Sequence, residues 1–223
     1  MKKVFALSAA AVLAAVLLFA GYHFSAAAQS PAPSGEILQA YREVLAGSRS
    51  YVQCNIYDGI TGEAYLPGEI RQWYGFAFEN PLRYNAFCIA DMDGDGSPEI
   101  ILRLNEDFGF ELLRYENGLV YGFPFVYRAM EDITAGGDIH GSSGAEDYGW
   151  YRVRFLAGTM ETQEICWKHV DENYSFHWTV DGKDVPEEAF VKRYDEISAQ
   201  TRLAFTEYTQ ANLDAAMAAN WRP

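Results

Sequence analysis

Apolar residues recur along this chain with two different periods, and the first of them indicates a helix. In the segment 36–46, Ile37, Tyr41 and Val44 have the spacing that places side chains on one helical face. Gly47 follows, and glycine is common just past the end of a helix. The spacing therefore predicts a helix over residues 36–46.

From residue 51 to about residue 180 the pattern is typical of β-strands. Arg152 and Arg154 alternate with Tyr151, Val153 and Phe155, which indicates a strand with one solvated face. Strands are predicted over residues 51–57, 86–90, 100–104, 110–115, 119–127, 151–155, 159–170 and 174–180.

The dipeptide Asn117-Gly118 is the strongest turn signal in the chain. Both residues tolerate the positive φ angles that a two-residue hairpin turn requires. We therefore expect the strands over residues 110–115 and 119–127 to form an antiparallel hairpin. Pro124 lacks an N–H donor, which predicts that the second strand is bulged or lies at the edge of its sheet.

The C-terminal third returns to helical spacing. Asp184 is a good N-cap and Pro186 suits a first turn, so a helix is expected to follow and to end near Ser198. The alanine-rich stretch 209–220 predicts another helix. The segment 68–78 fits a helix or a loop, and its pattern does not decide between them. The helix ending near Ser198 is expected to bury Phe190, Tyr194 and Ile197.

The N-terminus has the layout of a signal peptide. Two lysines precede an unbroken apolar run over residues 4–20, and the small residues 26–28 then form a cleavage sequence. We expect cleavage after Ala28, which makes residues 1–28 a signal peptide. The alternative is an uncleaved membrane anchor over residues 4–24. Both interpretations place the rest of the chain outside the cytoplasm, secreted or in the cell envelope.

Length and composition indicate one domain after the signal peptide. Residues 29–35 have the composition of a linker, and residues 36–223 have an ordinary length for one globular domain. The predicted class is α+β: a mostly antiparallel β-sheet core with an N-terminal helix and C-terminal helices. A formal net charge of −14 disfavours nucleic acids and anionic membranes as partners and favours cations.

The chain has three cysteines, Cys54, Cys88 and Cys166. Three cysteines permit one disulfide with one thiol left over, and the sequence does not select among the three pairings. Three buried free thiols are the alternative. A zinc site at Cys166, His169 and His177 is disfavoured, because residues an odd number apart in a strand point to opposite faces.

The segment 91–99 carries the clearest chemistry. Asp91, Asp93 and Asp95 stand at alternate positions, where their charges repel unless a cation lies between them. Calcium takes six to eight oxygen ligands. The segment offers three aspartates, the backbone carbonyl of Ser97 and the carboxylate of Glu99. These five residues are the predicted calcium ligands.

The type of loop is indicated by its flanks and its twelfth position. Gly94 and Gly96 permit a tight backbone around an ion. Leu102 occupies the position where a helix-loop-helix calcium hand requires a bidentate Glu, and both flanking segments are strand-like. A calcium hand is therefore excluded. An Asp-Gly-rich turn without metal is the alternative, and magnesium or manganese suits this flexible, oxygen-rich loop less well than calcium.

The loop resembles the calcium loops of FG-GAP and VCBS-type repeat proteins, whose pattern is D-x-D-x-D-G-x-x-D/E. Asp91, Asp93, Asp95, Gly96 and Glu99 fill that pattern. Those proteins are usually β-propellers in which the motif recurs in each blade. Here it occurs once and no period is visible, so a propeller is not expected.

A closer resemblance is to uncharacterised secreted proteins and lipoproteins of Gram-positive bacteria that share the core F-x-[IL]-x-D-x-D-G-D-G-x-P-E-[IL]. This chain matches that core from Phe87 to Ile100, and it has a hairpin at residues 115–119 and a helix start at residues 181–188 as they do. It lacks the lipoprotein Cys. The resemblance implies an architecture and one ion, and no activity.

Two functions are compatible with these residues. The first is a non-catalytic extracellular calcium-binding module that presents a surface to another protein or to a glycan. The second is a cell-envelope hydrolase with a site near the loop 135–149, built from side chains such as Asp138, His140, Glu146 or Asp147. Residues 141–145 read Gly-Ser-Ser-Gly-Ala and lack the last Gly of a nucleophile elbow. We therefore expect no enzyme activity.

Overall fold

The computed structural model describes residues 34–55, 59–66, 69–73, 76–105, 108–156 and 158–218. The predicted signal peptide, residues 1–28, lies outside the described residues, as does the start of the predicted linker. Signal-peptide cleavage and the domain boundaries therefore stay predictions.

Three helices are described: α1 (Ser34–Leu45), α2 (Glu187–Ser198) and α3 (Gln210–Ala218). All three were expected from the sequence. Helix α1 begins at Ser34, so it takes in the last residues of the predicted linker. Among the described residues, no helix is long and apolar enough to span a membrane.

The strands alternate with short turns. They are β1 (Tyr51–Asn55), β2 (Gly59–Ala64), β3 (Ile70–Trp73), β4 (Phe76–Leu82), β5 (Tyr84–Ala90), β6 (Glu99–Leu104), β7 (Gly109–Glu116), β8 (Leu119–Val126), β9 (Asp132–Ile133), β10 (Ile139–Ser142), β11 (Tyr148–Leu156), β12 (Thr159–Val170), β13 (Phe176–Val180), β14 (Lys183–Val185) and β15 (Thr206–Glu207).

The first sheet has seven strands in the order β15-β5-β6-β7-β8-β1-β2. Every neighbouring pair is antiparallel except β1 and β8, which are parallel. The expected hairpin is confirmed as β7 and β8. Its turn has φ of 53° at Asn117 and 82° at Gly118, so both residues adopt the positive angles for which the dipeptide is suited.

The second sheet has six antiparallel strands in the order β14-β13-β12-β11-β10-β9, and β3 and β4 form a separate two-stranded sheet. In β11 the predicted alternation is confirmed, because Tyr151, Val153 and Phe155 are buried while Arg152 and Arg154 are exposed. Neither large sheet closes on itself in the part of the chain that is described, and no propeller is formed.

Four layers stack in the order helices, first sheet, second sheet, helix. One face of the first sheet packs on α1 and α3, and its other face packs on the second sheet. The far face of the second sheet packs on α2 through Trp150, Cys166, Phe190 and Ile197. Each large apolar side chain buried in this way contributes about 1.5–3 kcal/mol. The fold is α+β and mostly antiparallel, as predicted.

Two local predictions were wrong. Pro124 lies in β8, which is an interior strand, and it pairs with Glu111 without a bulge at that position. The ladder between β8 and β1 reaches only Gly122, so the missing N–H of Pro124 removes no bond from it. The segment 68–78 is neither helix nor loop in its described part, because it contributes to β3 and β4.

The start of α2 also differs from the prediction. Asp184 lies in β14 and pairs with Thr179, while the N-cap is Pro186, which offers no side-chain cap. The turn at residues 181–182 continues into a short strand before the helix begins. Inside the helix, Phe190 and Ile197 are buried as expected, and Tyr194 is partly buried beside them.

The three cysteines are free and buried, which decides between the two alternatives left by the sequence. Burial raises the pKa of the Cys54 and Cys88 thiols to about 12 and that of Cys166 to about 11. The thiols are therefore protonated at neutral pH and act as small apolar groups in the core.

Candidate metal centre

The acidic loop 91–98 joins β5 to β6 at one end of the first sheet, where Ala90 pairs with Glu99 across the hairpin. Gly94 and Gly96 have φ of 74° and 88°. Other residues are strained at these angles, so the two glycines allow the backbone to wrap tightly.

Backbone amides of the loop point inward at its carboxylates. Asp91 accepts hydrogen bonds from the amides of Gly94 at 2.8 Å, Asp95 at 3.1 Å and Gly96 at 2.9 Å. Glu99 accepts one from the amide of Met92 at 2.7 Å. These bonds close the loop into a ring around its own acidic side chains.

Three carboxylates converge inside this ring. One oxygen each from Asp91, Asp93 and Glu99 lies within 4.8 Å of the other two. The side chains of Glu99 and Asp93 are only 0% and 4% exposed, whereas Asp91 is partly exposed. Three of the five predicted ligands therefore come together, and their oxygens are the donor type that calcium prefers.

The other two predicted ligands are placed differently. The Asp95 carboxylate accepts a hydrogen bond from the amide of Ser97 at 2.7 Å and forms a two-pronged ion pair with Arg114. Ser97 is buried at the end of the loop. Asp95 thus lies outside the cluster of three and binds a side chain instead.

Arg114 is the functional residue that the sequence reasoning missed. It projects from β7, only 6% of its side chain is exposed, and its guanidinium donates to both Asp95 and Glu99. Nη1 also lies 3.8 Å from Asp93 Oδ1. Arg114 is the single basic residue of β7, a strand that also carries Glu111 and Glu116, and its position close to an acidic loop was the available signal, because a buried cation requires a partner.

Asp91, Asp93, Asp95 and Glu99 outnumber the one guanidinium of Arg114, and burial disfavours the charged forms of Asp93 and Glu99. Burial raises the pKa of Glu99 to about 8, although Arg114 and the Met92 amide lower it. Burial likewise raises the pKa of Asp93. Burial alone would also raise the pKa of Asp95, but the hydrogen bond from Arg114 lowers it overall. Asp93, Asp95 and Glu99 thus share the single positive charge of Arg114, and an oxygen of Asp91 lies within 4.8 Å of oxygens of Asp93 and Glu99.

A fifth carboxylate borders the cluster. Glu116, at the end of β7, has one buried oxygen, Oε2, with no hydrogen-bond partner in the described residues. Burial raises the pKa of Glu116, and the charges of Asp95 and Asp93 raise it further while Arg114 lowers it. An unpartnered buried oxygen is costly unless a water or cation serves it. Glu116 therefore adds a further carboxylate, with an unpartnered buried oxygen, next to the acidic cluster.

The loop lies where the layers of the fold meet. Tyr41 of α1 donates to the Pro98 carbonyl at 2.8 Å, and the amide of Phe155 in the second sheet donates to Asp93 at 3.2 Å. A Cβ on Gly137 would come within 2.4 Å of the Met92 carbonyl oxygen, so a turn next to the second sheet packs directly on the loop. Anything that orders this loop also orders the contact between the sheets.

The loop 135–149 does not bring its acidic and basic groups together. Asp138 pairs with Arg152, Glu146 pairs with Lys168, and Asp147 accepts a hydrogen bond from Trp167. The fourth side chain suggested for a hydrolase, His140, contacts Glu131 and Tyr194, at 3.0 Å and 3.1 Å.

The ligand types considered for zinc are also separated. Cys166 is fully buried in the core against α2, while His169 binds Glu164 and stacks on its cross-strand partner His177.

Comparison with known protein families, with curated proteins and with solved structures finds no match for this chain.

Proposed function

We propose that this chain is an exported, non-catalytic module that binds one calcium ion through Asp91, Asp93 and Glu99. The observation that carries the proposal is the convergence of these three carboxylates in a loop whose charge Arg114 only partly balances. The Ser97 carbonyl and water would complete the coordination.

Calcium suits this donor set better than magnesium. The cluster combines two buried carboxylates, Asp93 and Glu99, with the partly exposed Asp91, and Arg114 holds one side of it. Calcium accepts such irregular oxygen sets, whereas magnesium requires a near-ideal octahedron and retains its waters. The partial exposure of Asp91 leaves room for water that calcium would keep.

The role of the ion would be structural. It would order the loop that touches α1 through Tyr41 and the second sheet through Phe155, and so stabilise the packing of the layers. The N-terminal segment and the resemblance to secreted proteins support an extracytoplasmic location. A module of this kind would present a rigid surface to an extracellular protein or a glycan.

The test compares thermal unfolding of the purified protein in chelator and in calcium. Binding to the folded state alone raises its stability by RT ln(1 + [L]/Kd). With Kd of about 10⁻⁴ M and calcium of about 1 mM, the gain is about 1.4 kcal/mol. Calorimetry should show one site, and Asp93→Asn should lose the response.

Asp195→Asn is the matched control, because Asp195 is exposed on α2, away from the loop. That variant should respond to calcium as the wild type does. Identical unfolding curves in chelator and in excess calcium would refute the metal site. A response to magnesium equal to that for calcium would refute the choice of ion.

No contact in the described residues favours the hydrolase over this proposal, so we do not advance it as a second function. Its discriminating experiment is a screen of the protein against glycans, peptides and esters. Turnover that is lost on changing His140, Ser143 or Glu146 would overturn the non-catalytic assignment.

A further inference from the structure

A second candidate site lies away from the acidic loop, on the face of the second sheet that carries Tyr151. A cavity of about 300 Å³ opens there between β10, β11 and β12 and beneath the turn that contains Arg128 and Ala129. Its volume is at the small end of the range for ligand pockets. None of the residues that line it belongs to the loop 91–98.

Two aromatic rings form part of the wall of this cavity, and hydrogen bonds fix their positions. The rings of Tyr151 and Trp167 lie 6.2 Å apart with an interplanar angle of 59°. Tyr151 donates its hydroxyl hydrogen to the Ala129 carbonyl, and Trp167 Nε1 donates to Asp147 at 2.5 Å. Because both polar ends are engaged, the two rings are fixed. Tyr151 is only 8% exposed, so the partly buried Trp167 ring offers the larger apolar surface to a ligand.

The rim of the cavity is polar and carries both charges. Glu164 and Arg128 line it together with the hydroxyl groups of Ser142, Ser143 and Thr162. One oxygen of Glu164 is fixed by His169 at 3.2 Å and by Thr179 at 3.3 Å, which orients the carboxylate.

This combination restricts the chemistry of a ligand. Arg128 and Glu164 place opposite charges on one rim, so a ligand with a single net charge is attracted by one of them and repelled by the other. A wholly apolar ligand would cover Arg128, Ser143 and Thr162 without offering them hydrogen bonds. A sugar ring offers one apolar face and hydroxyl groups that both donate and accept. We propose that the cavity binds a neutral saccharide unit.

The experiment titrates the purified protein with three rings of the same size and different charge: glucose, glucosamine and glucuronate. A panel of neutral sugars, galactose, mannose and N-acetylglucosamine, is run in parallel, with a blocked neutral dipeptide for comparison. Binding is followed by saturation-transfer NMR and calorimetry. At least one neutral sugar should bind more tightly than both charged analogues and the dipeptide.

Two conservative variants locate the binding. Thr162→Val removes one hydroxyl and Glu164→Gln removes one charge, and each should weaken sugar binding by about tenfold. Gln163→Ala is the matched control, because Gln163 pairs with the exposed Arg152 and does not line the cavity. Its affinity should equal that of the wild type.

The outcome is independent of the proposed calcium site. Asp93→Asn should retain sugar binding, so failure of one proposal is distinguishable from failure of the other. The saccharide proposal is overturned if no sugar in the panel binds, if glucosamine, glucuronate or the dipeptide binds better than every neutral sugar, or if Thr162→Val and Glu164→Gln both bind as the wild type does.

Discussion

At the scale of single residues, Arg114 decides how the acidic loop behaves without an ion. Its guanidinium pairs with Asp95 and Glu99 at a site where only 6% of its side chain is exposed. An internal cation of this kind partly neutralises the carboxylates without an ion. It would also compete with the proposed calcium ion for the charge of Glu99, so we expect the affinity to be moderate.

Removing Arg114 should therefore have two opposite effects. In chelator, Arg114→Met should lower the free energy of unfolding by about 3–5 kcal/mol, because buried carboxylates lose their partner. The stabilisation by calcium should then exceed that of the wild type. Urea unfolding with and without calcium measures both quantities.

The control for this substitution is Arg154→Met, on the exposed side of β11. Its stability should change by no more than about 0.5 kcal/mol, with an unaltered calcium response. The competition is disproved if calcium stabilises Arg114→Met no more than it stabilises the wild type.

His140 is a second residue whose environment has a measurable consequence. Burial lowers its pKa from the usual 6.5, although the charges of Glu131 and Asp132 raise it and Arg202 lowers it. Neutral imidazole also suits its two contacts, with one nitrogen near Glu131 and the other near the Tyr194 hydroxyl.

The sign of the pH dependence is fixed by this shift in pKa. Above pH 6.5 both folded and unfolded chains hold His140 neutral, and as the pH falls the unfolded chain takes the proton first. The contribution of His140 to stability should therefore decrease from about pH 7.5 to about pH 5, whereas the raised pKa of Glu99 acts in the opposite direction in both proteins. Relative to the wild type, His140→Gln should thus gain stability over that interval. Urea unfolding at both pH values tests this. A larger loss in the variant would contradict it.

At the scale of elements, the turns and helix starts show where a local sequence signal is enough to predict the structure. The Asn117-Gly118 turn forms as its residues predict, because both angles are positive and the two strands that it joins are adjacent. The start of α2 does not follow the prediction. Asp184 has the right chemistry for an N-cap, but pairing with β13 draws it into a strand.

Asp184→Ala should accordingly have little effect. A true N-cap loses about 1 kcal/mol when changed to alanine, whereas an exposed strand residue at a sheet edge changes stability by no more than about 0.5 kcal/mol. Thermal unfolding of the variant distinguishes the two. A loss of about 1 kcal/mol would restore the capping role. The comparison variant is Thr179→Ala, on β13, because Thr179 is the residue that pairs with Asp184.

At the scale of the whole molecule, the acidic loop joins layers that are distant in sequence. Asp93 meets Phe155 from the second sheet, and Tyr41 from α1 meets Pro98. The proposed ion and the proposed saccharide cavity lie at different places on this layered core, so one can be lost without the other.

Export from the cytoplasm is also a prediction about the whole molecule. Export should remove residues 1–28, because small residues come after the apolar run at the position that a signal peptidase reads. Mass spectrometry of the exported protein should find Gln29 at the N-terminus. Ala28→Leu should block cleavage and leave the full-length chain in the membrane fraction. A wild-type chain that remains at full length there would favour the anchor.

Much of the fold could be inferred from the chain alone, because periodicity and turn residues report on neighbours a few positions away. The strand alternation at Tyr151, Val153 and Phe155, the hairpin, the three helices and the α+β class all result from such short-range patterns. Of the four carboxylates that the acidic spacing selected, Asp91, Asp93 and Glu99 lie close together, whereas Asp95 lies outside that cluster.

The remaining features depend on contacts between distant segments. Strand order, the interior position of β8, the free thiols and the pairing of Asp95 with Arg114 arise only when separate strands pack. The saccharide cavity likewise combines β10, β11 and β12. The residues next to a position in the sequence do not predict these partners, because burial and charge pairing depend on how the layers pack.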